Sequence, residues 1–218
     1  MHEDLSILDL AGDEGLHRDS DVPLGDEIVD DRLTASGRPM REAAVLVPLV
    51  HAEGRWQLLF IRRASNDRDR HSGQVAFPGG AREKSDANAT ATALREAQEE
   101  IGLVPEQVTV LGELAPYVTI SDYRVTPVAG RVAWPARLSL QVSEVARAFL
   151  IPLDWLGERS NLTLRARREM DPAGARRHPV IVYEPYEGEV LWGATARMTV
   201  NFIKAVHDGR VTLPDPLG

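Results

Sequence analysis

Apolar and polar positions along the chain follow two periodicities. Short, β-branched runs occur at Ala43–Val50 and, after Glu53-Gly54, at Trp56–Ile61, and they predict two paired strands joined by a turn. Arg62–Ser72 is too rich in Asp, Asn and Arg to bury, so it reads as a loop leading into Gly73–Gly80. Asp86 then precedes Ala87–Ile101, a stretch of good helix formers without Gly or Pro, with Gly102 and Pro105 supplying the stop. Further strands are predicted at Val108–Glu113, Val125–Val132, Val145–Leu150 and Val180–Tyr183. A last helix runs from Ala194 to His207, before Gly209. Strands around one long central helix, with a second helix at the end, predict an α+β chain built as an α/β/α sandwich with a mixed sheet.

Charge divides the chain. The first 31 residues carry eleven acids against one base, Arg18, or about −10, so the whole-chain −8 leaves about +2 on the remainder. The arm, taken as 1–35, is therefore distinct from a body over 36–218. Leu5, Ile7, Leu8 and Leu10 interrupt its acids at spacings a short amphipathic helix could use to dock on the body or on a partner subunit. The body is not a nucleic-acid platform, but a phosphate-bearing small molecule is compatible with it. No apolar run is long enough to span a bilayer and no basic-then-apolar leader opens the chain, so the expected location is the cytoplasm. With no cysteine, any metal must sit on oxygen or imidazole.

The central helix carries the candidate chemistry. At about 100° per residue, Leu94, Ala97 and Ile101 fall on one side, whereas Glu96, Glu99 and Glu100 gather on the other within about 100° of one another. Like charges so close repel unless a cation sits among them, and a hard divalent ion such as Mg²⁺ suits oxygen ligands shared with substrate phosphates. Acids opposite an apolar stripe also occur on ordinary surface helices, where Arg95 and Glu99 would form an i,i+4 pair. The tight turn Phe77-Pro78-Gly79-Gly80 adds backbone that a metal or phosphate could approach closely.

The run Arg95-Glu96-Ala97-Gln98-Glu99-Glu100-Ile101-Gly102-Leu103 resembles, at all nine positions, the second half of the Nudix box, R-E-U-x-E-E-x-G-U with U apolar. The first half departs from the pattern. Ala87 stands where the box has glutamate and Ala81 where it has glycine; Glu83 and Asp86 lie nearby instead, and Glu83 is the candidate accessory acid of the loop. Leu59-Phe60-Ile61-Arg62-Arg63-Ala64 and Arg70-His71-Ser72-Gly73-Gln74-Val75-Ala76-Phe77-Pro78-Gly79-Gly80 resemble the signature of the coenzyme A pyrophosphatase branch, with Ile61 replacing its threonine. Ser143-Glu144-Val145 and Trp192-Gly193-Ala194-Thr195-Ala196 are similar to later pieces of that branch.

The resemblance implies a Nudix-type sandwich over 36–218 with one central catalytic helix. It also implies hydrolysis of the pyrophosphate in coenzyme A or its derivatives, giving 4′-phosphopantetheine and adenosine 3′,5′-bisphosphate. Glu96, Glu99 and Glu100 are the implied ligands of Mg²⁺ or Mn²⁺. One of Glu96, Glu99 and Glu144 would take a proton from the attacking water, with Arg95 orienting Glu99. Arg63, Arg70 and His71, with Gly79 and Gly80, are candidate contacts to substrate phosphate. Another nucleoside diphosphate derivative such as ADP-ribose or NADH, or a nucleotide-binding module without catalysis, are the alternative readings. The basic stretch 166–178, with Arg167, Arg168, Arg176, Arg177 and His178, is either a phosphate-binding lid or a connection. The arm and the C-terminal strand-and-helix region offer surfaces a homodimer could use.

Overall fold

The computed structural model describes residues 40–65, 73–119, 122–165 and 180–215; the arm 1–35, Arg70, His71 and the basic stretch 166–178 lie outside the described residues. Strand β1 (Arg41–Ala52) turns directly into β2 (Arg55–Arg63), with Ala52 opposite Arg55. Both turn residues have positive φ, 53° at Glu53 and 76° at Gly54, as in the two-residue hairpin turn whose twist matches its strands. The short strands β3 (Val75–Ala76) and β4 (Gly79–Ala81) follow, and then helix α1 (Ala89–Ile101). After α1 come β5 (Val108–Glu113), β6 (Tyr117–Val118), β7 (Tyr123–Val132), β8 (Val145–Pro152) and the five-residue α2 (Leu153–Gly157). A two-stranded sheet of β9 (Leu162–Arg165) and β10 (Val180–Tyr183) precedes α3 (Gly193–His207).

The main sheet is mixed. Its order is β3-β2-β1-β7-β5, with β4 on β1, β6 on β7 and β8 on β2; β1 and β7 run parallel and the other pairs antiparallel. Alternate residues of β1 serve two cores. Ala44, Leu46 and Val50 join Leu59 and Ile61 against Ala93, Ala97 and Ile101 of α1. Val47 and Leu49 join Leu58 and Phe60 against Phe202 and Ile203 of α3. Burial on both faces explains why Ala43–Val50 is apolar almost without interruption. The result is the predicted α+β sandwich, with α1 on one side and α3 on the other.

The predicted strands are present with ends moved by at most two residues, whereas the central helix starts later than predicted. Asn88, not Asp86, is its N-cap: Asn88 Oδ1 accepts from Ala91 N at 2.8 Å, and Asp86 is drawn into the contacts described below. Gly102 closes the helix at φ 70°, with Gly102 N donating to Gln98 O at 3.0 Å. β3, β4, β6 and α2 escape sequence periodicity because two to five residues complete too few repeats to show it. Among the described residues no helix is long and apolar enough to cross a membrane.

Asn88→Ala should destabilise the protein by about 1 kcal/mol, because the first helical turn loses a side-chain acceptor. Equilibrium urea unfolding checks this, and an unchanged midpoint would remove Asn88 from the cap.

Candidate active site

The site forms where the first half of β1 changes partners. Ala43–Val45 pair with Gly79–Ala81 of β4, while the second half of β1 pairs with β2. This opening of the sheet admits the C-terminal half of α1. Gly79 is required sterically, and Gly80 is required to keep Glu96 where it is. A Cβ on Gly79 would collide with Ala44 O and come within 2.6 Å of Val45 Cα, and a Cβ on Gly80 would sit 2.6 Å from Glu96 Cδ. The Glu96 carboxylate therefore lies directly against the Gly80 backbone.

Glu100 departs from the simple division of the helix into apolar and acidic sides. It is 3% exposed and belongs with Thr92, Ala93, Ala97 and Ile101 on the buried stripe, whereas Leu94 is only half-buried. Its Oε2 accepts from Gly79 N at 2.9 Å, and its Oε1 lies 4.0 Å from Arg63 Nη1. Burial pushes the Glu100 carboxyl up to about 7, opposed by the Gly79 N–H and Arg63 and reinforced by the negative charges of Glu96 and Glu144. Glu96 is also raised, chiefly by burial, with Glu99 and Glu144 adding to the shift and Arg95 opposing it.

Arg95 organises the outer half of the site with its guanidinium fork. Nη1 lies 3.0 Å from Glu96 Oε1 and 2.9 Å from Glu99 Oε2, and Nη2 donates to Ala81 O at 3.0 Å. Nε and Nη2 also grip Asp86, at 3.1 Å to Oδ1 and 3.0 Å to Oδ2. Asp86 is buried and also accepts from Glu83 N and Thr92 Oγ1, at 2.9 and 3.0 Å. The Arg95 hydrogen bonds, more than the opposing burial, hold the Asp86 carboxyl well below the usual range, and Asp86 raises the Arg95 guanidinium in return. Sequence reasoning selected Glu83 as the loop acid. Glu83 is instead exposed, with its Oε2 accepting from Ser85 Oγ at 3.4 Å, and Asp86 is the acid beneath Arg95. The missed signal is Thr92, about one turn into the helix, whose hydroxyl donates to Asp86 Oδ2 at 3.0 Å as well as to Asn88 O at 3.3 Å.

The other candidates occupy distinct places. Glu99 is turned outward, 58% exposed, and ion-paired with Arg95. Glu144 is exposed in the turn before β8, where its carbonyl accepts from Ala64 N at 2.8 Å, and its charge is felt at both Glu96 and Glu100. Arg63, at the end of β2, faces Glu100. Among the described residues no three acidic or histidine side chains already stand in a ligand-like array. The donors nevertheless fit a hard cation: Glu96 and Glu100, backed by Glu144, are oxygen donors that burial and mutual repulsion make costly to ionise, which is the condition a divalent ion relieves.

Residues 40–172 match the profile of the NUDIX domain, more than half of the chain. The chain is 41% identical over 181 residues to an uncharacterized Nudix hydrolase, NudL, of Pectobacterium atrosepticum, covering 81% of this chain and 90% of that one. It is 46% identical over 112 residues to the peroxisomal coenzyme A diphosphatase NUDT7 of Mus musculus, covering 51% of this chain and 47% of the mouse protein. A Nudix hydrolase from M. smegmatis, RenU, superposes with a TM-score of 0.47 at 26% identity, over 56% of this chain and 78% of that one.

A carboxyl whose folded value is raised binds its proton more tightly in the folded state, so stability falls as pH rises from near 4.5 to about 7 and the penalty is complete above that. Glu96 contributes in the same direction. In chelator-treated protein the unfolding free energy should drop between pH 5 and 8 by on the order of 3 kcal/mol, and Glu100→Gln should flatten most of that slope. Identical slopes in the two proteins, followed by urea unfolding, would contradict the burial of a charged Glu100.

Proposed function

The chain belongs to the Nudix hydrolase family and is a pyrophosphohydrolase, and we propose that the bond it cleaves is the pyrophosphate of coenzyme A or one of its derivatives. The products on this reading are 4′-phosphopantetheine and adenosine 3′,5′-bisphosphate. The observation that supports this substrate class is the likeness to the mouse coenzyme A diphosphatase, together with the Gly73–Gly80 segment that delivers Gly79 to Glu100.

Glu96, Glu99 and Glu100 would hold Mg²⁺ or Mn²⁺, with Glu96 and Glu100 innermost and Glu99 nearer solvent. The ion, when bound, supplies positive charge to the diphosphate oxygens and acidifies water. The chain's own groups do the rest. Arg95 fixes Glu96 and Glu99 through one nitrogen while Asp86 and Ala81 O hold its remaining donors, so neither carboxylate has to be ordered when substrate arrives. Gly80 leaves room for the Glu96 carboxylate itself, which any side chain at that position would displace. Arg63 offers a planar cation to a phosphate oxygen beside Glu100. Arg70 and His71 would add further positive charge at the mouth. One of Glu96, Glu99 and Glu144 accepts the proton of the attacking water.

Two measurements test the proposal. Glu100→Gln and Glu99→Gln should each lower turnover about a hundredfold or more while leaving the fold intact, since each removes a charged ligand from a preorganised site; near-normal metal-dependent turnover in Glu100→Gln would overturn its assignment as a ligand. Coenzyme A, ADP-ribose and NADH, compared by kcat/KM with Mg²⁺ and with Mn²⁺, should rank with coenzyme A first, and a tenfold or larger preference for ADP-ribose would end the coenzyme A assignment.

A further inference from the structure

A second cluster of charges lies on the opposite face of the sheet, behind the site. Arg62 of β2 and Arg147 of β8 are direct cross-strand partners. Both lie on the face that holds Phe60 and Phe149, the side covered by α3, and the Arg147 guanidinium sits 5.4 Å from the Phe149 ring centre. Two like charges directly opposite one another across an antiparallel pair repel. Glu189 is placed between them: its Oε1 is 3.3 Å from Arg147 Nη1 and its Oε2 is 3.5 Å from Arg62 Nη1. Glu189 is only 3% exposed, and its Oε2 is buried without a hydrogen bond although it is ion-paired. An under-satisfied buried carboxylate is costly, and so is worth retaining only where it holds something in place.

What it holds is the last regular rung before an irregularity. Arg62 pairs with Arg147, but the next residue, Arg63, pairs with Val145, so β8 carries Ala146 as an extra residue. Such bulges re-aim the side chains beside them. Here the neighbouring rung turns Arg63 and Val145 toward the α1 side, where Arg63 meets Glu100. Arg62 has a second attachment, donating from Nε to Gly73 O at 3.4 Å, while Arg63 N donates to Gln74 O at 2.9 Å. Glu189 itself is fixed by the backbone pair it makes with Tyr186, at 2.9 Å in each direction. A hairpin remote from the helix carboxylates is thus tied through Arg62 to the strand end that presents Arg63.

We propose that Glu189 is a positioning residue: by clamping Arg62 to Arg147 it fixes the strand end from which Arg63 reaches the substrate phosphate beside Glu100. The inference rests on the role given to Arg63 above. Removing the charge of Glu189 leaves Arg147 with Glu187, whose Oε2 lies 3.8 Å from Arg147 Nη2, but takes away the one carboxylate that bridges Arg147 to Arg62, and the adjacent rung relaxes.

The test is a double-mutant cycle read in KM and kcat, run on whichever diphosphate the wild-type enzyme turns over best. Glu189→Gln should raise KM about fivefold or more with kcat within about twofold, as expected for a displaced binding group. In an Arg63→Gln background the same change should leave KM within about twofold of the Arg63→Gln single variant. Arg62→Gln, which keeps Glu189 paired with Arg147, should reproduce the KM effect and serves if Glu189→Gln fails to fold. An unchanged KM, or an equal rise in both backgrounds, would overturn the positioning role. A wild-type preference for a substrate other than coenzyme A would change the reading of the substrate while leaving this cycle measurable.

Discussion

A carboxylate on the buried stripe of a helix destabilises a fold unless its charge is compensated, and Glu100 stands at such a position. Its neighbours supply partial compensation only: one backbone N–H from Gly79 and a guanidinium at the edge of ion-pair distance. The surrounding architecture follows from that arrangement. β1 must change partners so that the Gly79-Gly80 backbone can reach α1; Gly79 must lack a side chain because the Ala44 and Val45 backbone occupies the space, and one at Gly80 would push Glu96 away. The remaining deficit of positive charge is what a divalent ion would meet.

Arg95 separates two tasks that a surface helix ordinarily combines. Its link to Asp86 is mostly buried and structural, tying the loop after β4 to the helix, while its Nη1 holds Glu96 and Glu99 near the place where charge is needed. Truncating Arg95 would leave Asp86 buried without its counter-charge, which is far more damaging than loss of an exposed pair. Strand alternation puts Arg62 and Arg63 on opposite faces of the sheet, and the bulge in β8, with Ala146 as its extra residue, turns Val145 onto the face of Arg63.

Much of this was legible in the residues, for physical reasons that differ by element. β1 and β7 declare themselves as continuous apolar, β-branched runs, and α1 by several repeats of its period. The nine residues from Arg95 to Leu103 match a pattern specific enough to identify the chemistry. The side of the helix that carries Glu100 was misplaced, since a wheel divides residues by polarity and cannot show that a glycine turn will cover one acid. Asp86 read as a helix cap, because an acid just before a helix usually caps it; only the three-dimensional return of the loop over Thr92 and Arg95 gives it another role. The contact of Glu189 with Arg62 joins residues 127 positions apart, beyond the reach of any local pattern.

The central claim is that Glu96 and Glu100, pressed against Gly79-Gly80, form the seat of a divalent cation. Crystals grown with Mn²⁺ and measured at an X-ray energy where manganese scatters anomalously locate that ion directly. The account predicts an anomalous peak bounded by the Glu96 and Glu100 carboxylates, lost in Glu100→Gln. A peak elsewhere on the protein, or one that persists in that variant with the same ligands around it, would contradict it.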